Sequence, residues 1–427
     1  MNLTIPCAAL RVLWHLESAG CPAYIVGGSL RDALMGKTPH DWDITTAALP
    51  EQMLEIFGAS GLNTVPTGLA HGTVTVVIDH NPIECTTYRL DGEYTDARHP
   101  DRVEFTDRIS DDLCRRDFTV NAMACRLPSL AAMTEPPTES MTVHEDEIEI
   151  LDLYGGRDDL AARIIRCVGE PEKRFDEDAL RMLRAVRFCV QLGFDIDPQT
   201  EAALAAKRTG LGRISVERIA SELMRTLAND HPSRGLALMM RTGLWAFALP
   251  ESEPSENPYF TSENELFAAV DELPGDALLR MALLLSGGSA DEARSACRRL
   301  RLSNKQTETV TSCVGALCDE IPVIGCDVRR YLARYGEYAD AALALRRAVT
   351  RDLSAVETAI KLTDAIRLRG DCLCVADLAV DGRTLMDELG LRGADVGAAL
   401  RRLLDAVLED ASLNTREALL LLAKKTI

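Results

Sequence analysis

Net positive charge, membrane-length apolar runs and paired cysteines are all missing from this 427-residue chain. It carries 66 aspartates and glutamates against 47 lysines and arginines, a formal net charge of −19. That balance excludes a protein coated in positive charge for nonspecific nucleic-acid binding. No apolar run approaches the roughly 20 residues that span a bilayer. The N-terminus also lacks a basic segment followed by an apolar one, so cytoplasmic residence without a membrane partner is expected. The thirteen cysteines include no Cys-x-x-Cys pair. Cys372 and Cys374 come closest, and their spacing supplies no zinc ligand set, so reduced and mostly buried thiols are expected. All seven histidines fall at or before His231. A His-Asp metal-dependent phosphohydrolase site is thereby excluded from the C-terminal half.

The positive charge that is present is unevenly placed. Residues 126–152 and 251–276 are acid-rich, the second without any Lys or Arg, whereas arginines gather between Arg157 and Arg234. A nucleic-acid partner would meet that local basic surface, with the acidic stretches turned away.

The stretch Ala23–Thr46 organises the chain. The apolar run Tyr24-Ile25-Val26 has strand character and ends in Gly27-Gly28, after which Ser29 opens a helix-like segment carrying Arg31 and Asp32. A glycine turn at a helix N-terminus lets backbone N–H groups approach phosphate oxygens. On the next expected strand Asp41 and Asp43 flank Trp42, and residues two apart on a strand point to one face. Paired carboxylates beside a phosphate cradle suit Mg2+, which takes hard oxygen ligands and bridges to phosphates. The glycine turn followed by Asp-apolar-Asp resembles the signature of the nucleotidyltransferase superfamily that includes DNA polymerase β.

Around this stretch, residues 1–20 read as an amphipathic helix with Leu10, Leu13 and Leu16 on one face, and Leu49–Phe57 as a helix opened by Pro50. Gly72–Ile78 and Pro82–Arg89 read as strands joined by a hairpin turn at Asp79-His80-Asn81-Pro82. In the second, Glu84 falls where a third acid of the superfamily would lie, either beside the metal or exposed on an edge strand. Residues 91–105 are polar and unperiodic, which predicts a mobile loop. The adjacent Arg115 and Arg116 suit a triphosphate. Residues 127–144, rich in Pro, Ser and Thr, read as a flexible insertion. Beyond Gly155-Gly156 the sequence is Ala/Leu/Arg-rich with helical periodicity, so the fold class expected is α+β: an N-terminal head with a small mixed sheet, then an all-α remainder.

The second informative stretch is Phe175–Phe188, read as one helix. Asp178 and Arg181 then share a face, Arg184 and Arg187 continue the row, and Leu180, Leu183 and Val186 form a packing row. An adjacent carboxylate and guanidinium can accept from the amino group and donate to the ring acceptor of cytosine or adenine. Uracil and guanine present the inverse pattern and would leave buried groups unpaired, at a cost of about 1–3 kcal/mol each.

With these motifs the chain resembles the class II bacterial tRNA nucleotidyltransferases, the CCA-adding family. Gly27–Asp32 with Asp41-Trp42-Asp43 is similar to motif A, and Arg115-Arg116-Asp117 with Asn121 to motif B. Asp152-x-x-Gly155-Gly156-x-x-Asp159 is similar to motif C, Glu177-Asp178-x-x-Arg181 to motif D, and Arg213–Ile219 to the later neck helix. The resemblance implies a polymerase-β-like head (residues 1–150), a neck for nucleotide selection (151–225), a body (226–360) and a tRNA-binding tail (361–427). It further implies Asp41 and Asp43 as ligands of Mg2+ and Gly28, Arg31 and Arg116 at the triphosphate and sugar. Asp178 and Arg181 would read the base, with Arg184 and Arg187 supporting the nucleotide. The implied partners are tRNA, CTP and ATP, and no stable protein partner is inferred. A bacterial poly(A) polymerase or an enzyme adding only CC or only A shares these motifs. Asp91–Arg98 resembles the loop that full CCA-adding members keep.

Overall fold

The computed structural model describes residues 2–39, 41–91 and 103–426. The mobile loop expected at 91–105, with its CCA-type sequence, lies largely outside them. The chain divides into two compact units, residues 1–226 with 234–248, and residues 227–233 with 249–427.

The first unit begins with β1 (Asn2–Ile5), α1 (Cys7–Ser18), β2 (Ala23–Val26), α2 (Gly27–Leu34), β3 (Asp43–Thr46) and α3 (Pro50–Ala59). Then come β4 (Asn63–Gly68), β5 (Thr73–Ile78), β6 (Asn81–Thr87), β7 (Arg89–Asp91), β8 (Val103–Phe105) and α4 (Ile109–Cys114). Strands β9 (Met123–Arg126), β10 (Met141–His144) and β11 (Glu149–Asp152) complete the sheet-rich part. Seven strands form one mixed sheet in the order β11-β9-β2-β3-β6-β5-β4. Its single parallel pair, β3 with β6, sets Asp43 opposite Glu84, while β2 runs antiparallel to β3 with Val26 opposite Asp43. The glycine turn that follows Val26 is therefore delivered beside the first acid of β3. The β5–β6 hairpin turns on Asp79 and His80, both with positive φ (49° and 64°), the backbone that suits the twist of two paired strands.

One face of the sheet is closed by α1 and α3. Leu10, Leu13 and Leu16 are fully buried with Ile25, Ile44, Phe57, Val74 and Val76 in one apolar cluster. Two expectations for this region are corrected. The N-terminus is a strand before it is a helix, because Leu3 and Ile5 alternate into the core while β1 pairs antiparallel with β10. That pairing also shows that residues 127–144 are folded: Leu130 and Val143 are buried, and Trp14 Nε1 donates to the Met133 carbonyl at 3.1 Å. The Pro and Ser residues punctuate turns there without preventing burial of the apolar positions between them.

Helices follow: α5 (Gly156–Ala162), α6 (Pro171–Glu177), α7 (Arg181–Leu192), α8 (Pro198–Lys207), α9 (Val216–Leu227), α10 (Ser233–Thr242) and α11 (Trp245–Ala248), with a short parallel pair at Ile164–Ile165 and Asp195–Ile196. The second unit is helical throughout its described residues, ending at Arg416–Thr426, and its C-terminal part packs around Leu385, Leu403, Val407 and Leu419. Among the described residues no helix is long and apolar enough to cross a membrane. All thirteen cysteines are free thiols, seven of them buried. The α+β class, sheet first and helices after, is as expected.

The Gly155-Gly156 pair splits into two different constraints. Gly155 has φ +72° with open space around it, whereas a Cβ on Gly156 would lie 2.3 Å from the Thr119 carbonyl oxygen and 2.9 Å from Met123 Cγ. Gly156→Ala must push backbone against backbone, so it should lose more stability than Gly155→Ala, which incurs only the left-handed penalty of about 1–2 kcal/mol. Denaturant unfolding of the two variants checks this; an equal or reversed order would contradict it.

Candidate active site

The helix breaks where the sequence pattern predicted continuity. Residues 175–188 divide between α6 and α7, with Asp178 in extended backbone (φ −140°, ψ 103°) and its Oδ1 accepting from the Leu180 N–H at 3.0 Å. Aspartate here satisfies a backbone donor at a helix start, as its short side chain does at caps. The expected Asp178–Arg181 pair on one helical face is thus replaced by two separate ion pairs. Asp178 Oδ2 accepts from Arg218 Nη2 of α9 at 2.9 Å, and Arg181 Nη1 donates to Glu177 Oε2 at 2.5 Å. Arg181 Nη2 also donates to the Arg115 carbonyl at 2.9 Å. Arg181 lines the cavity while only 8% exposed.

Despite this break, all nine residues nominated from the sequence line one cavity of about 910 Å3. Gly28, Arg31, Asp41, Asp43 and Arg116 come from the sheet-rich part, and Asp178, Arg181, Arg184 and Arg187 from the start and outer face of α7. Arg115, Asp117 and Asn121, the other motif-B positions, also line it. Sequence reasoning assigned no role to Phe188, Gln191, Arg218, Arg225, His71, Thr73 and Arg89, which complete much of the wall. The seven-residue spacing of Arg218 and Arg225, two turns of α9, was the signal for that pair.

Asp41 is exposed just before β3, and Asp43 begins the strand half-buried, with Trp42 between them in the core. The alternation expected of a strand holds although regular pairing starts only at Asp43. Burial pushes the Asp43 carboxyl above its ordinary range, Glu84 and Asp41 push it further, and Arg116 partly offsets them. Glu84 is on an internal strand and contributes charge at Asp43, although it does not line the cavity. Gly27 has φ +74°, and a Cβ there would sit 3.4 Å from both Asp43 Oδ2 and Arg116 Nη1. The turn thus keeps carboxylate and guanidinium close without a side chain between them. The donor set fits a hard divalent cation: two carboxylates, one destabilised by its neighbours' negative charge, which a cation would neutralise. Among the described residues no group of three or more His, Cys, Asp or Glu converges as metal ligands.

Nine arginines line the cavity against four aspartates, a strong local reversal of the chain's net charge. Most are held by paired carboxylates. Fully buried Asp112 takes Arg115 on Oδ1 at 2.7 Å and Arg116 on Oδ2 at 3.0 Å; burial would raise its carboxyl, but these two charges outweigh that and hold it below the usual range. Asp117 binds Arg184 at 2.6 Å and Asn121 at 3.1 Å, and they overcome burial to pull it down to about 2. Asn121 in turn accepts from Arg31 Nη1 at 2.7 Å, and Glu222 accepts from Arg187 Nε at 2.7 Å. Among the described residues, Arg116 Nε and Arg218 Nη1 on the cavity wall are buried donors with no hydrogen-bond partner. A buried guanidinium N–H without an acceptor is costly, and an anionic ligand would supply one.

Comparison with known proteins agrees with this geometry. Residues 23–166 match the poly A polymerase head domain, and residues 193–255 match the probable RNA and SrmB-binding site of polymerase A. A CCA-adding enzyme of Lactobacillus helveticus is 34% identical over 425 residues, covering 96% of this chain and 95% of the relative. One from Geobacillus stearothermophilus is 40% identical over 73% of this chain and 70% of its own length. The alignment to a Levilactobacillus brevis CCA-adding enzyme, 44% identical, spans about half of each protein, 55% of this chain and 54% of the relative. The crystal structure of the Bacillus stearothermophilus CCA-adding enzyme in complex with CTP superposes with TM-score 0.77 at 31% identity, over 98% of this chain and 96% of that one. Near-full-length likeness in sequence and fold, around a cavity built from the family's motifs, makes this chain a member of the CCA-adding enzyme family.

Proposed function

We propose that the protein adds C, C and A in turn to the 3′ end of tRNA from CTP and ATP, without a nucleic-acid template and with release of pyrophosphate, in the cytoplasm. The observation that carries this reading is the shared cavity, lined by the paired acids Asp41 and Asp43, by Asp178 and Arg181, and by the guanidinium groups of Arg31, Arg116, Arg184 and Arg187. The head would be residues 1–150, the neck 151–225, the body 226–360 and the tRNA-binding tail 361–427.

In this reading Asp41 and Asp43 hold Mg2+, which when bound supplies Lewis-acid stabilisation of the triphosphate and lowers the pKa of the RNA 3′-hydroxyl. Arg31 and Arg116 bind the triphosphate and sugar, with Gly28 allowing close backbone approach, and Arg184 and Arg187 support the nucleotide. The 3′-hydroxyl gives up its proton to water as its oxygen forms a bond to the α-phosphorus, the bond to the bridging oxygen breaks, and pyrophosphate leaves with that electron pair. Fixed guanidinium groups favour the charge that develops, without reorganisation during the step. Asp178 accepts from the amino group of cytosine or adenine while Arg181 donates to the ring acceptor. The ion pair to Arg218 fits this role because the Asp178 carboxylate keeps further lone pairs, and the pair to Glu177 fixes the Arg181 guanidinium before the base arrives.

The decisive experiment incubates the protein with tRNA lacking its 3′ end, CTP and ATP. Extension should stop after three nucleotides; long adenosine tails would favour a poly(A) polymerase, and extension by CC or A alone a partial enzyme.

Asp43 gives a second outcome. Its raised native pKa means that the folded protein holds the proton more tightly than the unfolded chain, so its charged form weakens folding as pH rises through that window. At neutral pH in chelator, Asp43→Asn should melt above the wild type, lose the stabilisation that added Mg2+ gives the wild type, and incorporate nothing. A lower melting point in chelator, or Mg2+ stabilisation retained, would contradict the assignment.

Asp178→Asn replaces an acceptor by a group with both polarities. It should reduce the preference for CTP and ATP over UTP and GTP by about tenfold or more, read from competing incorporation into trimmed tRNA. Unchanged selectivity would remove Asp178 from base reading.

A further inference from the structure

Three of the cavity arginines meet at one aromatic ring. Phe188 on α7 is 5% exposed and lines the cavity. The guanidinium carbons of Arg31, Arg184 and Arg187 lie 5.3, 5.4 and 4.2 Å from its centroid. The ring is itself fixed by an edge-to-face contact with Phe118, centroids 5.7 Å apart and planes at 79°. Arg184 and Arg187 share α7 with Phe188, but Arg31 comes from α2, directly after the glycine turn. The ring is therefore the point where the cradle of β2–α2 and the arginine row of α7 touch a common surface.

Each arginine also has its own polar anchor, Asn121 and Asp32 for Arg31, Asp117 for Arg184, and Glu222 with Gln191 for Arg187. Those anchors fix each guanidinium from its own side. Asn121 and Asp117 link Arg31 to Arg184 through side-chain hydrogen bonds, and the ring is a second, apolar point at which both also meet Arg187. Three like charges gathered around one apolar group would repel one another, and a Leu of similar bulk would offer them nothing. The face of an aromatic ring carries negative charge density and attracts cations within about 6 Å.

We propose that Phe188 is a positioning residue for the anionic part of the incoming nucleotide. Its ring holds Arg31 at a set distance from Arg184 and Arg187, so that the three present one pre-formed phosphate-binding wall. Phe188 acts through these arginines rather than by touching substrate. The inference rests on the nucleotide reading above and adds to it a residue outside the motif positions.

The test alters ring charge at constant shape. Phe188 is replaced in the full-length protein by mono-, tri- and pentafluorophenylalanine, and binding of CTP and of inorganic tripolyphosphate is measured by calorimetry, alongside the melting temperature. Affinity for both ligands should fall stepwise with fluorination, reaching about threefold to thirtyfold at the pentafluoro ring, with little change in melting temperature. Phe188→Tyr, which keeps the electron-rich face, should bind within about twofold of wild type, whereas Phe188→Leu should lose as much as the pentafluoro ring. A flat fluorination series would overturn the proposal, as would Phe188→Tyr and Phe188→Leu losing equally. A wild type that binds tripolyphosphate but not CTP would refute the nucleotide reading while the series still decides the role of the ring; binding of neither would overturn both.

Discussion

Like-charge repulsion among the cavity arginines is the constraint that the sheet-bearing unit of this protein is built around. Guanidinium groups crowded into one partly desolvated space repel strongly unless negative charge is placed among them. The chain supplies it as paired carboxylates: Asp112 for Arg115 and Arg116, Asp117 for Arg184, Glu222 for Arg187, Glu177 for Arg181 and Asp178 for Arg218. Asp112, Glu177 and Glu222 hold their arginines from outside the lining while Asp117 and Asp178 are part of it, and Arg116 Nε has no acceptor among the described residues. A wall of this kind can accept a polyanion without rearranging, and it reconciles a strongly acidic chain with a locally basic cavity.

The same constraint explains the motif spacing. Arg115, Arg116 and Asp117 are consecutive, yet Asp117 serves an arginine of α7, and Asn121 bridges it to Arg31 of α2. Motif B is thus the joint between the phosphate turn and the helices that follow. Motif C supports it from below, where the Gly156 backbone packs against the Thr119 carbonyl and Asp159 Oδ2 accepts from Thr119 Oγ1 at 2.7 Å. Motifs that look like separate signatures along the chain are one hydrogen-bonded body in space.

Much of this was legible in the sequence, for identifiable reasons. The Gly27-Gly28 turn, the Asp41/Asp43 alternation and the β5–β6 hairpin are local patterns whose physics is contained within a few residues. What the sequence concealed depended on partners distant along the chain. Residues 127–144 look disordered by composition, and only pairing with β1 reveals a folded segment. The α6–α7 break was hidden because helical periodicity in Phe175–Phe188 persists through it, while the signal for a break, Asp178 capping Leu180, is a single residue that also fits a helix interior. Arg218 lies in a stretch read only as a neck helix and Phe188 ends a row read only for packing and charge, so their meeting at the cavity follows from α9 and α2 packing against α7.

The central claim is spatial: acids that hold cations and an edge that reads a base face one substrate in one cavity. It is tested most directly by a crystal structure of this protein with CTP and Mn2+ in place of Mg2+, using anomalous scattering to locate the metal. The account predicts Mn2+ on Asp41 and Asp43, phosphate oxygens on Arg116, and the cytosine edge on Asp178 and Arg181 in the same molecule. Metal at another site, or a base turned away from Asp178 and Arg181 while the phosphates occupy the arginine wall, would contradict it.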